Sequence, residues 1–324
     1  MRKSARGSGI YLLFFLSGAA GLVYEVVWSR LLKDVFGVTA HAVAAVLATF
    51  LGGLALGSWA LGRYADRYDR PLRFYGLLEI GIGIAALAGT LAIAFLDPLH
   101  IHAASRFAPD SAALAAVRLV LASAVILPAT FLMGGTLPAM TRALVGREGN
   151  VSREISFLYA LNTSGAVAGS LATGFLLIRA LGVHPALWVA VAVNIAVGAW
   201  ALVLSRQGGP SAAAEPESSG AVEAAPGSRW VLLAIALSGV VSLALEVIWT
   251  RVLILIVGSS THAFVTMLSV FLVGIALGSF IARSLVDRVA NPRAAFGWVQ
   301  AGIAAATLAT IPLSGALVLA AQKW

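Results

Sequence analysis

Cysteine is absent from this chain. Disulfides and cysteine-ligated metals are therefore excluded. Charge is scarce as well: Asp, Glu, Lys and Arg make up only 11% of the 324 residues. A soluble domain carries about a quarter of its residues as charge, so this chain cannot cover a water-facing surface. No glycine-rich loop lies between a strand pattern and a helix start, which removes the usual cradle for a nucleoside or dinucleotide cofactor. No nucleophile–base set suggests catalysis within this chain, and no cofactor is expected. His100 and His102 alone make too weak a set for a metal site. Acidic residues are fewer than basic ones, giving a net charge of +8. That excess sits mostly in short loops between apolar runs, so it speaks for membrane orientation and not for nucleic acid.

What fills the chain is hydrophobic sequence, 60% of all residues, in runs too long for strands. The class expected is an all-α, polytopic membrane bundle. About nine runs approach the ~20 residues that cross a ~30 Å hydrocarbon core. Their approximate limits are 10–33, 40–62, 73–96, 114–141, 155–178, 182–205, 230–256, 262–283 and 295–320. The basic start, Met1-Arg2-Lys3-Ser4-Ala5-Arg6, could open a signal peptide, but the run that follows is too long and carries Glu25 and Arg30, so it reads as a retained first span. Loops near 63–72, 142–154, 206–229 and 284–294 hold most of the arginines. The positive-inside rule puts them and the N-terminus in the cytoplasm of a bacterial inner membrane, with Trp324 outside. Residues 207–228, rich in Pro, Ala, Gly, Ser and Glu, read as a flexible cytoplasmic linker. Three segments follow: a six-helix half over 1–205, the linker over 206–229, and an incomplete second half over 230–324.

That second half repeats the first. Residues 17–67 return without a gap as 238–288, with roughly 20 of about 50 positions identical. The four spans between them, an even number, make the two copies parallel, the arrangement in which halves are related by an axis along the membrane normal. The second set stops after three spans, so the chain reads as a fragment or as one that relies on further sequence or a partner to finish the half. Matched polar residues are Glu25 with Glu246, Trp28 with Trp249, Arg30 with Arg251, His41 with His262, and Asp66-Arg67 with Asp287-Arg288.

Glu25 and Glu246 stand out because a charge near mid-membrane costs at least ~2.5–3.5 kcal/mol unless it faces protein or water. Gly18, Leu22, Glu25, Ser29 and Leu32 share one helix face. Such a small or polar stripe suits a cavity wall that takes a cation or proton, or equally a helix interface in which each acid is bonded within its own half. Glu79 is a third candidate acid, and Asn162, Thr163 and Asn194 are candidates for interhelical hydrogen bonds. Asn162-Thr163-Ser164 matches a glycosylation triplet but lies inside a span. Arg30 and Arg251 snorkel to headgroups or form an anion site. His41 and His262 begin their spans at the outer surface, where proton sensing and plain interfacial packing are both open. The pairs Gly53/Gly57, Gly165/Gly169 and Gly274/Gly278 predict close helix contacts.

Two motifs carry a resemblance. The loop Gly62-Arg63-Tyr64-Ala65-Asp66-Arg67-Tyr68-Asp69-Arg70 is similar to the cytoplasmic loop between spans two and three of the major facilitator superfamily, with Asp69 where that family commonly has glycine. The run SGAAGLVYEVVWSRLL, with FLGGLALGSWALGRYADR, FLMGGTLP at 131–138 and LYALNTSGAVAGS at 158–170, resembles the membrane part of the bacterial fused major-facilitator/spermidine-synthase-like proteins. The resemblance covers nearly all of the chain. It implies a facilitator-like plan, a gating role for Asp66, Arg67, Asp287 and Arg288, and a small cationic solute such as a polyamine. It equally implies an alternative: a non-transporting anchor for a soluble aminopropyltransferase-like domain or partner.

Overall fold

A computed structural model describes residues 2–37, 40–108, 111–144, 151–206, 228–258, 260–285 and 288–321. Helices α1 (Arg2–Phe36), α2 (Ala40–Ala65), α3 (Pro71–Ala92), α4 (Leu96–Ala104), α5 (Ala112–Gly134) and α6 (Thr136–Leu144) come first. Then follow α7 (Val151–Leu171), α8 (Ile178–Leu181), α9 (Val183–Arg206), α10 (Ser228–Val257), α11 (Ser260–Leu285) and α12 (Pro292–Ala321). No strand occurs among the described residues. Nine helical stretches there are long and apolar enough to cross a membrane. The protein is an all-α multi-pass membrane bundle, and a lipid bilayer is its environment.

The spans are longer and less regular than apolar runs alone suggest. The third continues past α3 through a tight turn at Ile93–Phe95 into α4. Pro98 accounts for this: it offers no N–H to residue 94 and crowds that turn. The fourth breaks at Gly134-Gly135, between α5 and α6. The fifth widens into a π segment, Ala172–Leu177, where the Thr173 hydroxyl donates to the Gly169 carbonyl at 2.7 Å. Ser111 caps α5 by accepting from the Leu114 N–H.

Within the first six spans the packing is intimate. Tyr75 OH donates to the Leu13 carbonyl, Ser17 to Glu79, and Trp28 Nε1 to Thr90, each across a separation of 62 positions. A constant separation requires α1 and α3 to run parallel. The main partnerships are α2 with α5, α1 with α7 and α3 with α9. Glycine makes these approaches possible. A Cβ at Gly57 would overlap the Phe131 carbonyl, one at Gly165 the Phe15 carbonyl, and one at Gly169 the Ala19 carbonyl. Tyr24, Trp28, Ile82, Val125 and Leu187 fill one part of the core; Phe14, Tyr75, Met140, Leu158 and Val197 fill another.

The second set copies the first element by element. Gly37 and Gly258 occupy matched positions with φ of 80° and 71°, the left-handed terminator that favours glycine. Each donates its N–H at 2.9 Å to the carbonyl four residues back, Lys33 or Ile254. The copy reaches further than 17–67. Pro71 opens α3 as Pro292 opens α12, and Gln300 stands where α3 has Glu79. Gln300 Nε2 donates to Ser238 Oγ at 2.8 Å, again 62 positions apart. This bond is the counterpart of the Ser17–Glu79 pair.

The copies differ in their surroundings. A third hydrophobic cluster, Val26, Val43 and Leu47 with Phe264, Val265 and Leu268, joins the second set to the first. α11 lies against α7, with Ser269 Oγ donating to Ser170 Oγ at 3.2 Å. α12 touches chiefly α10, and no residue of Pro292–Leu313 is buried. Gly274 and Gly278, expected to pack like Gly53 and Gly57, have nothing within 4 Å. The same holds for Gly239, Gly297 and Gly302. The reason is physical: their first-set equivalents are covered by α5, α7 and α9, and no equivalents of those three helices occur among the described residues.

Candidate functional site

The polar groups of interest separate into three places. The first lies between α1 and α10. Glu25 is 5% exposed and Glu246 is 3% exposed, each within a helix long and apolar enough to cross a membrane. The two carboxyls are within electrostatic reach of each other. Glu246 Oε1 is buried with no hydrogen-bond partner among the described residues, and the same is true of the Thr250 hydroxyl one turn along. Ser29, the match of Thr250, is also buried. The repeat therefore supplies matched acids and matched hydroxyls, one of each on α1 and one of each on α10.

Cations border this acid pair on the side of Gly37 and Gly258. Arg30 Nη1 donates to Thr261 Oγ1 at 3.1 Å, tying α1 to α11. Lys33 is buried with its Nζ 4.9 Å from the centre of the Phe264 ring. Arg30, Arg251 and Asp34 all act on Lys33 electrostatically. Snorkelling alone does not describe Arg30, since its guanidinium is engaged with another helix. His262 is exposed, its ring 5.6 Å from that of Phe175. The side chain of His41 lies outside the described residues.

Glu79 belongs to a second place, inside the six-helix half. It is fully buried, accepting from Ser17 Oγ and Asn194 Nδ2, both at 2.5 Å. α1, α3 and α9 are thereby pinned together at one height. Asn162 likewise serves a helix contact, its Nδ2 donating to the Phe14 carbonyl at 3.1 Å.

The third place is the α2–α3 loop. Asp66 and Arg67 are exposed, and the Asp66 backbone carbonyl accepts from Arg142 Nη2 at 3.1 Å, linking the loop to α6. In the second set Arg288 is exposed, while Asp287 lies outside the described residues.

Sequence reasoning overlooked several participants. Ser17 and Gln300 were visible only by carrying the repeat into the third span. Lys33 stands eight positions after Glu25 on the same face, a spacing open to inspection. Arg118, buried and donating to His100 Nε2 at 3.4 Å, interrupts the apolar run of α5 and could have been noticed on that ground. No protein-family description, curated protein or solved structure matches this chain.

Proposed function

We propose that this chain is a transporter-like membrane module that handles a small cationic solute, a polyamine being the type, through Glu25 and Glu246. The observation that carries the reading is the buried acid pair itself, one member from each copy, with Glu246 Oε1 unpartnered among the described residues. A carboxylate kept from water and left without a donor is costly, and a cation removes that cost. Parallel repeats around an axis along the membrane normal support a facilitator-like plan, in which the site lies between the halves near mid-membrane. The resemblance to fused spermidine-synthase-like proteins supports the choice of polyamine. In this reading the exposed Asp66-Arg67 loop and its tie to Arg142 serve switching between states.

Spermidine should raise the melting temperature of the detergent-solubilised protein, and replacing both acids by glutamine should abolish that rise. Glutamine keeps shape and hydrogen bonding while removing charge, so the folded state should survive. Unchanged spermidine stabilisation in the double variant would end this reading and leave the anchor role ahead.

Orientation belongs to the same proposal, with the arginine-rich loops on the cytoplasmic side of a bacterial inner membrane. Reporter fusions at residues 68, 103, 215 and 289 should report inside, outside, inside and inside. An outside signal at 215 would refute the arrangement.

A further inference from the structure

Helix α10 buries almost nothing, and what it buries is polar. Between Arg229 and Val257 the two buried residues are Glu246 and Thr250, 3% and 1% exposed. Leu233, Leu237, Ile248 and Leu255 of the same helix are exposed. Hydrophobicity therefore does not explain which residues this helix hides. Glu246 and Thr250 stand four residues apart, on one face and one turn from each other. Val247 beside them packs with Val26, Val43, Phe264 and Leu268, so this stretch of α10 is covered by α1, α2 and α11.

Buried polar groups with a structural duty are bonded. Glu79 is the example in this fold, since both its oxygens accept, from Ser17 and Asn194. Hydroxyls inside its helices close on the carbonyl one turn back, as those of Thr130, Ser164, Thr173 and Thr307 do. Glu246 Oε1 and Thr250 Oγ1 do neither. Each is buried with no hydrogen-bond partner among the described residues, so they do not bond each other. Two oxygens, one of them on a carboxyl, thus end a turn apart inside a helix long and apolar enough to cross a membrane.

We propose that Glu246 and Thr250 are ligands of a monovalent metal cation, sodium being the type. Oxygen-only donors suit a hard cation. One carboxylate balances one positive charge, so ion and ligands together are neutral, as a membrane interior favours. A divalent ion would keep one charge uncancelled on this donor set. Among the described residues there is no group of three His, Cys, Asp or Glu to hold a metal of higher charge. Thr250 contributes an oxygen without adding charge, and water can complete the shell. The site goes beyond the cationic-solute reading and does not need it. Glu246 is common to both, so sodium and a solute amine compete for that carboxylate.

Thermal melting of the full chain in detergent, in sodium chloride and in choline chloride at equal ionic strength and without spermidine, tests the assignment. Sodium should raise the melting temperature by about 2–4 °C over choline. Thr250→Val keeps the side chain's shape and has no hydrogen bond to lose, so the fold should survive while the sodium increment vanishes. Thr250→Ser restores the oxygen and should restore the increment. Equal melts of the parent in the two salts overturn the site. A sodium increment undiminished in Thr250→Val overturns it too, since the ion would then be bound elsewhere. The parent's comparison needs no variant, and Glu246→Gln, which should also lose the increment, replaces Thr250→Val if that protein folds poorly. An increment kept in Glu246→Gln counts against the site in the same way. None of these results touches the spermidine response, whose loss in the double glutamine variant still decides the cationic-solute reading.

Discussion

Gly57→Ala should destabilise this protein strongly, whereas Gly278→Ala, the same change at the repeat-matched position, should cost nothing. A Cβ at Gly57 would overlap the Phe131 carbonyl oxygen, and the Phe131 carbonyl carbon and Cα crowd it too. Backbone cannot rotate away as a side-chain tip can. Either α2 and α5 move apart or the helix bends, and α2–α5 is among the most extensive pairings in the fold. Overpacking of this kind costs about 3 kcal/mol, toward the upper end for inserted carbon in a tight core. Gly278 has nothing within 4 Å. There alanine gains helix propensity worth up to about 1 kcal/mol over glycine. Melting the two variants in detergent beside the parent gives the answer. Equal losses at both positions would mean that the second copy is packed as the first is, contrary to the geometry described.

This pair of glycines also shows where sequence reading succeeds and where it stops. Periodic small residues such as Gly53-x-x-x-Gly57 and Gly274-x-x-x-Gly278 look the same in the two copies, so pattern alone predicts the same contact twice. The difference comes from which helices stand opposite, and that is a tertiary fact. Span number and span order were legible because a bilayer imposes length and hydrophobicity on every crossing. The tight turn at Ile93–Phe95 and the π segment at Ala172–Leu177 were not, since apolar content is blind to local hydrogen-bond register. At the candidate site, Glu25 and Glu246 were legible because charge inside an apolar run is rare and the repeat marked it twice. Lys33 was hidden by the opposite circumstance: its match is Ile254, so the repeat gave no second signal.

Glu79 makes the strongest case that a membrane acid can be structural, and its replacement should be costly in a way its counterpart's is not. Its two carboxylate oxygens accept from Ser17 on α1 and Asn194 on α9, and none of its surface is exposed. Glu79→Leu strands both donors in an apolar interior. Stranded buried groups cost about 1–3 kcal/mol each, and hydrogen bonds between membrane helices fall toward the lower end, so the total should be about 2–4 kcal/mol. Glu79→Gln should stay within about 1 kcal/mol of the parent. The reason lies with Asn194, whose Oδ1 is buried without a partner among the described residues. Turning that amide over lets Oδ1 accept from the glutamine N–H₂, while Ser17 keeps an oxygen to bond. Gln300→Leu removes only the bond to Ser238, at a half-exposed position on a helix with no buried residues over Pro292–Leu313. Its cost should be no more than about 1 kcal/mol. The three melts together separate hydrogen bonding from charge at this position. A Glu79→Leu protein that melts with the parent would show that the pin between α1, α3 and α9 contributes nothing. A Glu79→Gln protein that falls as far as Glu79→Leu would show instead that the negative charge itself is required, which would move Glu79 from the scaffold to the same class as Glu25 and Glu246.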